Sequence, residues 1–288
     1  MKISIIGLGL IGGSIGRATL AKTEHTVYGF DISESVLLKA ELMNAITERG
    51  TDENLAQSDV VIIALSPELT MEKMEEICPK LKPGTIIMDT CGIKRQVIDK
   101  MNELLEKYPE LHFAGVHPMA GREFSGIEHS MVGLYEHAFI IVVPVHPDMR
   151  SLTLLKDYFI SLGAEGLQIS TAEEHDKIIA YTSQLAHVVS SSYVKNPLSK
   201  VYAGYSAGSF RDMTRVAKLN ADLWTELFLD NKDNLVVAIE DLQRHLEEYK
   251  EAIQNNDEEK LHSLLEEGTK IKAEADALLV ARRKNGQK

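Results

Sequence analysis

The run Gly7-Leu8-Gly9-Leu10-Ile11-Gly12, set between the apolar stretch Lys2–Ile6 and a segment of helical pattern, constrains this chain more than any other feature. Glycines spaced in this way serve three ends: a tight turn at Gly7, close approach of phosphates to the backbone at Gly9, and close packing of helix on strand at Gly12. The helix that follows offers its first N–H groups and the positive end of its dipole to an anion. The motif in this context predicts a βαβ unit that binds a dinucleotide, with Gly7, Leu8, Gly9, Leu10, Ile11 and Gly12 as the binding loop.

Asp31 closes the second apolar run, Thr26–Phe30, about 20 residues beyond the glycines, where a carboxylate hydrogen-bonds the adenine ribose. It would repel a 2′-phosphate, and Ile32 and Ser33 supply no arginine to compensate, so NAD is expected in preference to NADP. The alternative is that Asp31 caps the next helix. Leu65-Ser66-Pro67 ends a further apolar strand at the carboxyl edge of the expected sheet, and is assigned to the nicotinamide ribose on that ground.

Further apolar runs, Val60–Leu65, Thr85–Asp89, His112–Val116, Ala138–Pro144 and Gly166–Ile169, alternate with helical patterns, as in a parallel sheet with crossover helices. Beyond Ile169 everything reads as helix. Thr171 with Glu174 three residues on forms a capping box for a helix that runs to Asn196-Pro197. Long helices are expected over Asp233–Gln254 and Asp257–Arg283, and the first carries a stripe of Leu235, Ile239, Leu242, Leu246, Tyr249 and Ile253. The expected fold is therefore α/β: an N-terminal Rossmann-type parallel-sheet domain, residues 1–170, followed by an all-helical C-terminal dimerisation domain, residues 171–288. A symmetric dimer would cover the long apolar faces, and an intramolecular hairpin is the other way to do so.

A formal net charge of −12 disfavours nucleic acid and anionic membrane as partners. The glycines of residues 1–16 argue against a signal peptide, and no run reaches the roughly 20 apolar residues of a membrane span. Cys78 and Cys91 have neither zinc-site nor redox-pair spacing, which suits a reducing cytoplasm. The ten histidines show no HxH or HExxH spacing, so no metal is expected.

Among those histidines His117 stands out, because it ends an apolar strand and enters the loop Pro118-Met119-Ala120-Gly121-Arg122-Glu123. An imidazole there, close to a nicotinamide, is suited to accept a hydroxyl proton as a hydride leaves the same carbon; a structural histidine is the competing reading. Ser183 and His187, four apart in the helix opened by Thr171, share a face. Arg211 and Arg215 are also four apart with Asp212 between them, which suits a guanidinium held ready for a carboxylate, or else an exposed ion pair of little energetic weight.

Taken together, Gly7-Leu-Gly-Leu-Ile-Gly-Gly-Ser14, His117-Pro-Met-Ala-Gly-Arg-Glu123, Ser183-Gln-Leu-Ala-His187, Gly208-Ser-Phe-Arg-Asp-Met-Thr-Arg215, Trp224 and the Asn231 stretch resemble the prephenate/arogenate dehydrogenase family of tyrosine biosynthesis. The resemblance implies oxidative decarboxylation: hydride leaves the hydroxyl-bearing ring carbon for nicotinamide, carbon dioxide is lost, and the ring aromatises. It implies that His117 bonds the ring hydroxyl, that Arg215 binds a substrate carboxylate, that Ser183 and His187 lie at the substrate pocket, that Lys94 is near cofactor and substrate, and that the helical domain forms a homodimer. Many members carry a serine that assists the catalytic histidine where this chain has Gly92, with Thr90 or a water as substitutes. Prephenate is favoured over arogenate because the Ser183–His187 face has no carboxylate to pair with an ammonium, although Glu123 and Asp212 are within range of that role. The competing readings are a β-hydroxyacid-type dehydrogenase of similar architecture and a non-catalytic dinucleotide-binding protein. Without a further regulatory domain after the helical one, allosteric control of that kind is not expected.

Overall fold

The structure, a computed structural model, describes residues 1–286 except Glu123 and Pro147, with side chains as far as Ala281. Its strands are β1 Lys2–Ile6, β2 Thr26–Phe30, β3 Glu48–Arg49, β4 Val60–Ile63, β5 Ile86–Asp89, β6 His112–Pro118, β7 Phe139–Pro144 and β8 Gly166–Ile169. The helices are α1 Leu10–Lys22, α2 Glu34–Leu42, α3 Asp52–Ala56, α4 Pro67–Ile77, α5 Arg95–Lys107, α6 Met149–Ser161, α7 Ala172–Ile179, α8 Leu185–Tyr193, α9 Gly208–Thr214, α10 Ala221–Asp230, α11 Lys232–Gln254 and α12 Glu258–Gly286.

All eight strands form one sheet in the order β3-β2-β1-β4-β5-β6-β7-β8. The chain crosses over between β1 and β4, and the crevice at such a switch point is where open α/β sheets bind ligands. Helices cover both faces. One core gathers Ile3, Ile5, Ile15 and Val27 with Val116, Ile140 and Phe159, and the other gathers Val61, Ile63 and Ile87 with Met74, Val97 and Met101. Strands buried on both sides explain the unbroken Val-Val-Ile-Ile and Ile-Ile-Met runs of β4 and β5.

Two features depart from the expected parallel sheet. β7 runs antiparallel to β6, with His117 opposite Ile141. The chain turns back through the loop after Pro118 with no crossover helix, which a parallel pair would require. β3 is a two-residue Glu-Arg strand with no apolar signature to announce it.

After β8 the described chain is helical. Thr171 caps α7 by accepting from the Glu174 N–H, but the Glu174 carboxylate takes the Ser170 hydroxyl at 3.2 Å instead of completing the box. The expected single helix is interrupted by a π turn, Ala180–Gln184, before continuing as α8. A π turn absorbs one extra residue, so His175 and His187 are related as positions roughly 11 apart in α geometry would be, about three full turns, and fall on one side of the helix.

The chain falls into two compact units, Met1–Lys232 and Asp233–Lys288. This division lies well beyond the change of character near Ser170, because α7 is bonded into the α/β part: the Asp176 carboxylate accepts from the backbone N–H groups of Lys94 and Arg95 at 2.7 and 3.0 Å. In the second unit α11 and α12 form a hairpin about Asn255–Asp257, with the Tyr249 hydroxyl donating to the Leu264 carbonyl at 3.1 Å. The hairpin leaves Leu246, Ile253, Leu265 and Leu278 more than half exposed. No helix among the described residues is long and apolar enough to cross a membrane.

Candidate active site

The glycine loop is built as its spacing requires. Gly7 has φ +88°, and a Cβ there would stand 2.5 Å from the Ala64 carbonyl oxygen at the end of β4. A Cβ on Gly12 would stand 2.0 Å from the Gly7 oxygen, whereas around Gly9 nothing lies within 4 Å of the Cβ position. Gly9 thus leaves room for a phosphate at the start of α1. Leu8 is buried, and Leu10 and Ile11 begin α1 half-exposed.

The Asp31 carboxylate accepts from the Leu8 N–H at 3.0 Å and from the Ser33 N–H at 2.9 Å. Ser33 is the residue that caps α2, so Asp31 is freed from the capping role and ties the glycine loop to the end of β2. Ser66 and Pro67 open α4 at the carboxyl end of β4, just after Leu65. The residues expected to contact a dinucleotide therefore line the crevice between the ends of β1, β2 and β4.

Three strands along, His117 lies near the end of β6, half-buried. Its Nδ1 is 2.9 Å from His175 Nε2, and His175 Nδ1 donates to Asp176 Oδ1 at 2.7 Å. His175 and Asp176 are almost wholly buried. Burial, reinforced by His175 and Lys94, holds His117 well below the ordinary histidine pKa. Burial likewise lowers His175 against the opposing pull of Asp176. No hydrogen bond reaches His117 Nε2 among the described residues.

Lys94, expected near cofactor and substrate, turns its ammonium into the protein. It is fully buried, and its ammonium donates to Asp89 Oδ2 at 2.5 Å and to the carbonyls of Cys91 and Ile93 at 2.8 and 3.1 Å. All three of its protons are engaged. The other Asp89 oxygen accepts the Val116 N–H at 3.0 Å, next to His117. Lys94 thus neutralises a carboxylate that bridges β5 to β6. Neither Thr90 nor Gly92 is the partner of His117 Nδ1; His175 is.

On the helical side, His187 donates from Nδ1 to the Val216 carbonyl at 3.1 Å and packs on Trp224 with ring centroids 3.8 Å apart. Desolvation lowers its pKa, and the nearby Arg215 charge adds to this. The structure therefore brings His187, Arg215 and Trp224 together. Arg215 is exposed just past α9, and Ser183 is half-exposed within the π turn. Asp212 is exposed beside Arg211, and Glu123 lies outside the described residues.

His175 and Asp176 belong to none of the motifs, yet they are hydrogen-bonded in line with His117. Their signal was present: Ala172, His175, Asp176 and Ile179 follow the i, i+3, i+4, i+7 spacing of a core-facing stripe. Two ionisable side chains on such a stripe require partners.

Residues 15–167 match the family model described as prephenate dehydrogenase, nucleotide-binding domain, and residues 171–267 match prephenate dehydrogenase, dimerization domain. The chain belongs to the prephenate dehydrogenase family. It is 32% identical to the prephenate dehydrogenase of Lactococcus lactis subsp. cremoris, covering 94% of this chain and 76% of that one. To the cyclohexadienyl dehydrogenase of Zymomonas mobilis subsp. mobilis it is 31% identical, over 94% of each. Among solved structures, prephenate dehydrogenase from A. aeolicus in complex with hydroxyphenyl propionate and NAD+ superimposes with a TM-score of 0.84 at 28% identity, covering 95% of this chain and 97% of that one. Membership of this dehydrogenase family sets aside a β-hydroxyacid dehydrogenase as the nearer kin.

Proposed function

We propose that this protein is an NAD-dependent prephenate dehydrogenase that converts prephenate oxidatively to 4-hydroxyphenylpyruvate and carbon dioxide, and that it works as a cytoplasmic homodimer. The observation that carries the reading is His117, set near the carboxyl end of β6 with Nε2 unengaged by the described residues, on the sheet edge where the glycine loop opens. NAD, when bound, supplies the hydride acceptor.

The fit to NAD rests on the open space over Gly9, the first N–H groups of α1, and Asp31, whose charge would oppose a 2′-phosphate. Leu65, Ser66 and Pro67 would border the nicotinamide half. His117 Nε2 accepts the proton of the ring hydroxyl as the carbonyl develops. Its lowered pKa keeps it neutral and ready for that proton at ordinary pH. Arg215 holds a carboxylate of the dianionic substrate, with Ser183 in the π turn and His187 lining the pocket. Aromatisation and loss of carbon dioxide make the chemistry downhill, so alignment and stabilisation of the developing carbonyl are the main tasks. Too tight a grip on the departing carboxylate would favour the ground state, so Arg215 positions rather than drives.

We take residues 1–170 as the cofactor domain and 171–288 as the substrate-binding and dimerising one, a division supported by the change of family model between residues 167 and 171. The exposed leucines and isoleucines of α11 and α12 support a partner copy. The test is NADH formation with purified protein and prephenate, run beside arogenate and with NADP as alternative oxidant. Turnover with prephenate and NAD is expected. Turnover with arogenate alone would move the assignment to an arogenate dehydrogenase, and none with either would reject it. Sedimentation should give twice the chain mass.

A further inference from the structure

We infer that His175 and Asp176 form a positioning pair that sets the tautomer of His117, so that Nδ1 of His117 carries the proton and Nε2 is the basic nitrogen offered to the substrate. The inference deepens the proposed reaction and, for its kinetic part, rests on it. It follows from which atoms can donate. Asp176 is a carboxylate that takes the Lys94 N–H on Oδ1 and the Arg95 N–H and Nε–H on Oδ2, so it has only acceptors to offer. Its 2.7 Å contact with His175 Nδ1 therefore requires a proton on that nitrogen. A neutral His175 then has a bare Nε2, and the only proton available for the 2.9 Å contact with His117 must come from His117 Nδ1. With Nδ1 protonated, a neutral His117 has its lone pair on Nε2.

The alternative polarity would need His175 protonated on both nitrogens, a cation on an almost wholly buried ring whose burial disfavours the charge despite the pull of Asp176 and Asp89. The anchoring of the pair is firm. Asn231 donates to the Asp176 carbonyl and to the Gln184 side chain, both at 2.8 Å, and accepts from Arg95 at 2.9 Å. Gly92 has no side chain with which to share the task, and no other hydrogen bond to His117 Nδ1 is present among the described residues.

The proposal is tested by nitrogen NMR of protein labelled at histidine, with His117 assigned by comparison with His117→Asn. The wild-type His117 is expected in the Nδ1–H form, and the Nε2–H form would overturn the proposal. This reading requires neither turnover nor the variants at His175. For kinetics, His175→Leu should lower kcat by about 100-fold while the KM values change by less than about threefold. His175→Gln, whose amide oxygen can stand where Nε2 was and accept from His117, should recover kcat to within about tenfold of wild type. A leucine variant with wild-type kcat, or a folded glutamine variant as slow as the leucine one, would overturn the positioning role. Absence of turnover in the wild type would reject the proposed reaction and leave the tautomer to the spectrum.

Discussion

The ammonium of Lys94 lies 2.5 Å from the carboxylate of Asp89, and neither side chain is exposed to solvent. The pair joins the end of β5 to β6 one residue before His117, through the bond from Val116 N–H to Asp89. A buried charge left without its partner is costly, whereas an apolar replacement of both can be nearly neutral. Lys94→Met is therefore expected to destabilise the protein by about 3–5 kcal/mol, and Lys94→Met with Asp89→Leu to recover part of that loss. Urea unfolding monitored by circular dichroism checks this. A direct substrate contact would instead raise KM and leave stability unchanged.

His117 should act as a base well into acid. A base must be neutral to accept a proton, and burial together with His175 and Lys94 holds its pKa below the ordinary 6.5. The acid limb of kcat/KM is thus expected below pH 6.5. His117→Asn should lower kcat by roughly 100-fold or more with little change in KM. A pH profile and initial rates decide both.

The same depressed histidines predict how stability follows pH. His25, His117, His175 and His187 all have pKa values lowered by burial. Between the lowered values and 6.5, the unfolded chain binds protons that the folded one does not. Stability should therefore fall as pH drops through 6.5. Thermal midpoints from pH 8 down to about 5 measure it.

Arg215→Ala is expected to act on binding. Arg215 is exposed beside His187, so its loss should raise KM for the substrate about 10- to 100-fold, or roughly 1.4–2.8 kcal/mol, with a smaller effect on kcat. Asp31→Ala should raise the kcat/KM ratio of NADP to NAD, and also weaken NAD itself, because Asp31 holds the Leu8 N–H of the glycine loop. Parallel titrations with both cofactors separate the two effects.

Gly92→Ser should be accommodated. A Cβ at Gly92 would meet only the Leu227 methyls at 3.7 and 3.8 Å, an ordinary contact, and its φ is not in the left-handed region. Unfolding free energy is expected within about 1 kcal/mol of wild type. A larger loss would show that the glycine is required by the backbone.

The glycine loop, Asp31, the strands other than β3 and the helical second half were legible in the amino-acid sequence, because a turn that needs glycine and the periodicity of buried faces leave local marks. Ser183, His187 and Arg215 were legible only as residue types at helical spacing, strengthened by family resemblance. The sequence by itself determined a dinucleotide crevice and a histidine at a strand end. Tertiary structure alone decided that β7 reverses, that Lys94 turns inward to Asp89, and that His175, 58 residues from His117, becomes its hydrogen-bond partner. The physical reason is one of range: propensity and periodicity act over a few residues. Which buried charge meets which depends on where each strand and helix returns to the sheet.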